Sequence, residues 1–332
     1  MGNVLEVTLP IFGLVFCGFF GQRFRLVPDG SVDALNRFVF SFALPAMLFR
    51  AIAFQPASAY AHASFLAGWV IASLCSYFLA RRLATRLLHK GPMAATLLAM
   101  NVTHPNVGYI GLPLALELGQ EHVPIMVMAV MGDMFIVVVM SIVFLEFEAR
   151  KADRRILEEV RKAGYATGLS LEGSIALTVL QGLARSPIVV AALLGLVWSF
   201  MALPIPALLD NFTRLLGGAA APVALFAIGA SIGRTSLRLD PVSAGMVGWK
   251  LLIHPLIAAL VLLAVPGIEP AAWALGVVAA CLPSASNTFI IGSRYGVGTG
   301  SVAQSIVAGS LLAIITVSLV IWATGLHQAP RA

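Results

Sequence analysis

The chain has 332 residues, of which 59% are hydrophobic and only 11% are charged, and its formal net charge is +6. Soluble domains carry about 25% charged residues, so this chain could not cover a water-facing surface of ordinary composition. The composition excludes a soluble globular protein and predicts an all-α integral membrane protein in a lipid bilayer. The basic residues lie between apolar segments, which explains the positive charge without nucleic acid as a partner.

Ten apolar segments are candidates for membrane-spanning helices, each of which needs ~20 predominantly apolar residues. They cover residues 4–22, 32–51, 60–80, 92–117, 124–146, 187–203, 210–232, 242–264, 271–293 and 301–325. The segments 32–51 and 210–232 carry the weakest signal, because each contains an arginine and a central proline.

The basic residues of the loops orient these spans. With the N-terminus outside, every loop Lys and Arg except Arg50 and Arg331 falls on the inner side, as the positive-inside rule requires. Arg23 and Arg25 follow the first span, which is the wrong order for a cleaved signal peptide. We therefore expect a multi-pass protein of the cell inner membrane with both termini on the periplasmic side.

A charged segment at 147–186 divides the chain into five-helix halves at 1–146 and 187–332. We expect this segment to be a cytoplasmic loop, with a solvated helix at 148–162 and an interfacial helix at 171–185. The halves share markers at one offset of 177 residues, which are Pro10 and Pro187, Arg37 and Arg214, and Pro45 and Pro222. Because five is odd, the second half enters the membrane inverted, an arrangement typical of secondary transporters.

Helices four and nine carry polar and helix-breaking residues at the depth where the bilayer is most apolar. These are Asn101, Thr103, His104, Pro105, Asn106 and Gly108 in helix four, and Pro283, Ser284, Ser286, Asn287 and Thr288 in helix nine. Such clusters are tolerated where broken backbone lines a cavity. The pattern predicts two helices that break at Pro105 and Pro283 and cross near the midplane.

Two such breaks place two half-helix N-termini, each partly positive, at one point, where they would attract an anion. Asn106 and Asn287 are placed to cap the half-helices or to bind a carboxylate. The candidate substrate-binding residues are all members of the two clusters other than the prolines, namely Asn101, Thr103, His104, Asn106, Gly108, Ser284, Ser286, Asn287 and Thr288. The alternative is that the prolines only kink the helices and the polar side chains satisfy the freed carbonyls.

Asp133 in helix five and Lys250 in helix eight are ionisable residues within spans, and His254 follows Lys250 by one turn. Ionisable groups in a membrane are costly and usually paired or functional, so the two are candidates for a buried ion-coupling pair. The alternative is that Lys250 snorkels and Asp133 only forms hydrogen bonds within the bundle. Arg37 and Arg214, near helix ends, are expected to snorkel.

The sequence offers no metal-ligand spacing and no phosphate-binding loop, so neither a metal nor a cofactor is expected. An intramembrane aspartyl protease would need a second deep aspartate beside Asp133, and a serine protease would need a nucleophile elbow. An enzyme is therefore not expected. A sensor without transport activity is the other alternative class, although such proteins usually carry a soluble signalling domain.

Four stretches resemble the auxin efflux carrier family, and in particular its bacterial, malonate-type branch. They are NVGYIGLPLALELG at 106–119, the long stretch 186–232 beginning SPIVVAALLGLVW, KLLIHPLIAALVLLAV at 250–265, and CLPSASNTFIIGSRYGVG at 281–298. The resemblance implies a fold like that of bile-acid symporters and sodium/proton antiporters. It also implies a scaffold and homodimer surface from helices 1, 2, 6 and 7, and a mobile elevator core from helices 3–5 and 8–10.

The plant members tend to have Asn-Pro-Asn in helix four, whereas this chain has His104 before Pro105 and Asn106. Its central loop is also short, so the resemblance favours a small carboxylate such as malonate over auxin. In the antiporter relatives a carboxylate on helix five can face a lysine on helix eight, which strengthens the interpretation of Asp133 and Lys250. Proton coupling is the first hypothesis, and sodium coupling is the alternative.

Overall fold

Helices form the regular structure of this protein in the computed structural model, which describes residues 2–28, 30–54, 62–162, 187–234, 239–297 and 299–326. Within these ranges the only β-type pairing is one isolated bridge. The all-α class predicted from composition is confirmed. The interfacial helix predicted at 171–185 lies outside the described residues.

The helices of the first half are α1 (Gly2–Arg23), α2 (Ser31–Phe38), α3 (Leu44–Ala53), α4 (Ala63–Arg86), α5 (Pro92–Thr103), α6 (Leu112–Leu118), α7 (Val123–Gly132) and α8 (Val139–Lys162). Those of the second half are α9 (Pro187–Met201), α10 (Ala207–Gly218), α11 (Ala220–Arg234), α12 (Pro241–Gly248), α13 (His254–Ala264), α14 (Pro270–Cys281), α15 (Asn287–Arg294) and α16 (Thr299–Thr324).

Several helical runs are long and apolar enough to cross a membrane, which supports a multi-pass membrane protein. In the described part of the chain five runs qualify, namely Ser31–Ala53, Ala63–Arg86, Gln120–Ala149, Pro241–Ala264 and Gly300–Thr324. Shorter apolar helices at Pro92–Thr103, Val107–Leu118 and Pro270–Cys281 flank the interruptions described below.

Turns of π-helix join α-helices inside the long runs. Those at Val39–Ala43, Val107–Gly111 and Trp249–Ile253 each end two residues before a proline, which is Pro45, Pro113 or Pro255. A proline ring clashes with the carbonyl four residues earlier, and a wider π-helical turn moves that carbonyl aside. The central proline of the weak segment 32–51 therefore does not break its helix.

The helices pack in two groups. The first packing group comprises α1, α2, α3, α9, α10 and α11, in which α1 lies along α11 and α3 lies on α9 and α10. Glycines allow this close approach, because a Cβ at Gly18 would collide with the Phe226 carbonyl oxygen and one at Gly229 with that of Val15. The second packing group comprises α4 to α8 and α12 to α16, in which α4 packs on α5 and α13.

Candidate functional site

The two helical interruptions lie side by side and satisfy each other's backbone. The Asn106 N–H donates to the Pro283 carbonyl at 2.8 Å, and the Ala285 N–H donates to the His104 carbonyl at 3.0 Å. These bonds form the isolated antiparallel bridge of the structure. Broken helices leave backbone groups without intrahelical partners, and here each break supplies the partners of the other.

Helical structure restarts directly after each interruption. The Asn106 side chain accepts a hydrogen bond from the Tyr109 N–H at 3.3 Å and so caps the run Val107–Leu118. Asn287 is the first residue of α15. Each restart presents the partial positive charge of a helix N-terminus, and the two N-termini lie close together.

A cavity of about 520 Å³ adjoins the paired interruptions, and its volume is in the range of small-molecule sites. The sequence-predicted residues that line it are His104, Pro105, Asn106, Gly108, Asp133, Ser286 and Asn287. The structure therefore brings residues of both polar clusters and one of the two candidate coupling residues to the same cavity.

The other predicted residues lie behind the cavity wall. Pro283 and Ser284 belong to the paired interruptions themselves, whereas Asn101, Thr103 and Thr288 are buried beside them. The Asn101 amide donates to the Ser305 hydroxyl of α16 at 2.8 Å, which ties α5 to α16. These geometries suit residues that support the interruptions more than residues that contact a ligand.

One face of the run Ser31–Ala53 forms the opposite wall, and sequence reasoning did not assign it to the site. Its lining residues are Val32, Asp33, Asn36, Arg37, Phe40, Ser41, Leu44 and Leu48. Their spacing of three or four residues places them on one side of a helix, and this polar stripe is the signal that could have found them. Arg37, which was expected to snorkel, is exposed and also lines this cavity.

Asp133 is fully buried at the start of the π-helical turn Asp133–Val138. Its Oδ1 accepts hydrogen bonds from the Trp69 Nε1–H at 3.1 Å and the Ser73 hydroxyl at 3.4 Å. Trp69 and Ser73 were not predicted, although their spacing of four residues on α4 places both on one face. The other oxygen, Oδ2, lies 3.8 Å from His104 Nδ1.

Lys250 does not form the direct ion pair with Asp133 that the sequence suggested. Among the described residues, the side chain within ion-pair distance of the Asp133 carboxylate is His104. The Lys250 ammonium instead lies 2.8 Å from His254 Nδ1, one turn along the same helix. The i, i+4 spacing makes His254 a local partner for Lys250, and Asp133 and Lys250 interact only at longer range.

His104 connects the cavity to Asp133. Its Nε2 lies 3.0 Å from the Asn287 Nδ2, which is a donor, so Nε2 accepts and the proton of a neutral ring sits on Nδ1, facing Asp133. The Asn287 Oδ1 is buried without a partner in the described part of the chain. A rotated Asn287 amide would present this oxygen to a protonated Nε2, so the network can hold either charge state of His104.

Comparisons with known proteins relate this chain to membrane transporters. The chain is 27% identical over 319 residues to the "Putative malonate transporter" of Rhizobium meliloti (strain 1021), covering 96% of this chain and 95% of the relative. It is 21% identical over 330 residues to an uncharacterized transporter of Methanocaldococcus jannaschii, covering 96% and 98%. The family described as "Membrane transport protein" matches residues 3–321. This chain therefore belongs to the membrane transport protein family, the auxin efflux carrier family that its motifs resemble, and is a transporter rather than an enzyme.

Proposed function

We propose that this transporter moves a small organic anion, a carboxylate of the malonate type, by binding it in the cavity beside the paired interruptions. The observation that carries this proposal is the convergence there of two helix N-termini with the side chains of His104, Asn106, Ser286 and Asn287. Helix N-termini stabilise negative charge, and amide, imidazole and hydroxyl groups can donate to carboxylate oxygens. The printed name of the Rhizobium relative supports malonate as the first substrate to test.

The proposal includes the finer architecture expected from the sequence. Ten spans would form two inverted five-helix repeats, and the paired interruptions would lie near the bilayer midplane. The first packing group would be the scaffold and homodimer surface, and the second would carry the substrate as an elevator. The cavity supports this division, because its walls come from the run Ser31–Ala53 of one group and from the interruptions of the other.

Proton coupling through Asp133 is the second part of the proposal. A carboxylate that lines the cavity and faces His104 could exchange a proton with it, and His104 in turn adjoins Asn287 at the ligand side. Lys250 would act as a buried counter-charge at longer range. Ionisable groups within membrane spans commonly serve such proton relays.

The surroundings of Asp133 favour protons over sodium as the coupling ion. A sodium ion needs several oxygen ligands, whereas Trp69 and Ser73 donate hydrogen bonds to this carboxylate and His104 turns a ring nitrogen toward it. An N–H donor beside the carboxylate would repel a cation. The described neighbours of Asp133 therefore suit a group that gains and loses a proton.

Uptake of labelled malonate into proteoliposomes, with and without an inward proton gradient, tests the proposal. We expect saturable uptake that the gradient stimulates. Asn106→Ala is expected to reduce uptake at least tenfold, because it removes both the cap of Val107–Leu118 and a cavity donor. Glu269→Gln, which changes an exposed residue at the start of α14, is the matched control and should leave uptake unchanged.

The outcomes separate the parts of the proposal. Saturable uptake that ignores the gradient would overturn proton coupling and leave the anion site intact. An absence of uptake across a panel of small carboxylates, by protein shown to be folded, would contradict the substrate class. Uptake by Asn106→Ala at the wild-type rate would show that the paired interruptions are not part of the binding site.

A further inference from the structure

We infer that Arg37 binds a second carboxylate of the substrate, so that the site selects dicarboxylates over monocarboxylates. This inference rests on the proposed function, because it assigns one carboxylate of the substrate to the paired interruptions. It adds a recognition residue on the opposite wall of the cavity.

Among the described residues that line the cavity, Arg37 is the one with a permanent positive charge. It forms no hydrogen bond or ion pair with any side chain in the described part of the protein. Two other arginines of the first packing group do have side-chain partners. Arg50 binds Asp210 at 2.9 Å, and Arg214 donates to Asn211 at 3.2 Å. Arg37 is exposed at the open side of the cavity, and a permanent positive charge that lines a cavity without a side-chain partner in the described part of the protein is suited to an anionic ligand.

The helix that carries Arg37 fixes its direction. Asp33, Arg37, Ser41, Leu44 and Leu48 recur every three or four residues and all line the cavity, so they share one face. Arg37 therefore extends from the face that adjoins the substrate site. Among the ion pairs of the described residues none joins Arg37 to Asp33, one turn earlier, so the guanidinium is available.

The distance along the wall suits a short diacid. Leu44 is level with the restart of helix four, because a Cβ at Gly108 would lie 3.6 Å from Leu44 Cδ2. Arg37 precedes Leu44 by seven residues, about 10 Å along a helix. This separation along the helix leaves room for two carboxylates joined by a short carbon chain.

The other residues that line the cavity support a site that binds the two carboxylates of a substrate at two separate places. Between Arg37 and the restart of helix four the wall presents Phe40 and Leu44, with Ser41 as the polar residue of this stretch of the helix. An apolar middle cannot compensate a carboxylate, so both charged ends of a diacid need their own partners. A guanidinium can bind a carboxylate through two parallel hydrogen bonds, which gives orientation as well as affinity.

The test compares malonate with monomethyl malonate, which keeps the carbon skeleton and loses one carboxylate. Arg37→Gln in the full-length protein should raise the KM for malonate uptake about ten- to a hundredfold, the usual effect of losing a hydrogen bond between charged groups. The half-inhibitory concentration of the monoester should stay within about twofold, which also shows that the variant is folded. Arg37→Lys keeps the positive charge but loses the paired N–H donors of the guanidinium, so its KM for malonate should lie between those of wild type and Arg37→Gln.

Arg214→Gln is the matched control, since Arg214 is an exposed arginine of α10 that does not line the cavity, and it should behave as wild type. An unchanged malonate KM in Arg37→Gln would overturn the inference while leaving the proposed function in place. Equal weakening of malonate binding and monoester binding in Arg37→Gln would also overturn the inference, because the lost affinity would then not be specific to the second carboxylate. A wild-type protein that binds neither compound would overturn the proposed function itself.

Discussion

His104 and Asp133 form the contact through which the proposed proton coupling would act. Two buried atoms, His104 Nδ1 and Asp133 Oδ2, lie 3.8 Å apart, and neither has a hydrogen-bond partner in the described part of the chain. Buried polar atoms are usually satisfied, and an unsatisfied pair that faces one another in a cavity wall is the arrangement that the proposed proton exchange requires. A small movement of either side chain would close the bond and permit proton transfer.

Asp133→Asn tests this arrangement at one residue. Asparagine has the same shape, and its Oδ1 can still accept from Trp69 and Ser73, but it cannot carry a proton to or from His104. We expect proton-gradient stimulation to disappear while exchange of external for internal malonate, which needs no net proton movement, remains. Proteoliposome uptake with and without the gradient, and counterflow without it, measure the two activities.

Glu146→Gln is the control for this prediction. Glu146 belongs to the same helical run, Gln120–Ala149, and its Oε2 accepts from the Tyr295 hydroxyl at 3.2 Å, away from the cavity lining. This variant should keep gradient-stimulated uptake. Uptake by Asp133→Asn that still responds to the gradient would exclude Asp133 as the coupling group.

Residue types could be read from the sequence more readily than their partners. Asp133 and Lys250 were identified because charge inside an apolar run is costly wherever the run folds. The partners of Asp133, Trp69 and His104, lie on other helices, and their contact depends on how those helices rotate about their axes, which a single sequence does not show. The cavity lining by Arg37 was missed for the same reason, since its distance from a helix end says nothing about the face from which it extends.

Helix ends follow local rules that the sequence displays. Four helices, α5, α9, α12 and α14, begin with a proline at Pro92, Pro187, Pro241 and Pro270. A proline at the first helical position loses no hydrogen bond and has the correct φ angle. The π-helical turns are different, because their extra residue per turn depends on packing as well as on the proline that follows.

Asp240 shows how one helix end can join two elements. Its carboxylate accepts from the Ser243 N–H at 2.8 Å, which caps α12, and from the Ser301 hydroxyl of α16 at 2.7 Å. These hydrogen bonds, that of the Ser243 N–H first, hold the pKa of the Asp240 carboxyl below its ordinary value. Their stabilising effect is therefore complete above the unfolded pKa of about 3.9 and is lost as pH falls through the lower folded pKa.

Asp240→Ala is expected to lower the free energy of unfolding at neutral pH by about 1 kcal/mol, the usual effect of losing an N-cap. Asp240→Asn keeps a good cap without the charge, so it should lose less at neutral pH. The difference in melting temperature between wild type and Asp240→Asn should then shrink below about pH 4. Thermal unfolding of detergent-solubilised protein across this range measures both effects. An Asp240→Ala protein as stable as wild type at neutral pH would show that the cap contributes nothing.

The two packing groups meet at the cavity, and this meeting determines how the whole molecule would move. Within the first group, α1 and α11 approach at glycines so closely that backbone touches backbone, which leaves little freedom to slide. Between the groups, the run Ser31–Ala53 faces the paired interruptions across open volume. A rigid body that moves past another needs such an interface, with contacts that can be exchanged.

A cysteine pair across this interface can exclude elevator motion, because both positions line the cavity and only retained transport by crosslinked protein separates the two mechanisms. In a background with Cys17, Cys75 and Cys281 replaced, Leu44→Cys combined with Gly108→Cys joins α3 to the restart of helix four, where the native positions are in contact. We expect oxidation to abolish malonate uptake and reduction to restore it, because the crosslink fixes one group to the other. Gel mobility reports the extent of crosslinking, and uptake by the same samples reports activity.

The control crosslink lies within the first packing group. Arg50 of α3 and Asp210 of α10 contact each other at 2.9 Å, so Arg50→Cys with Asp210→Cys can be joined by a short bifunctional thiol reagent. If the two helices move as one body, this crosslink should leave uptake at the level of the unlinked double variant. If fully crosslinked Leu44→Cys/Gly108→Cys protein transports as fast as the same protein after reduction of the disulfide, the groups do not slide past each other. The substrate must then cross by local gating around a fixed site. If the control crosslink blocks transport as completely, the boundary between scaffold and moving body must lie between α3 and α10.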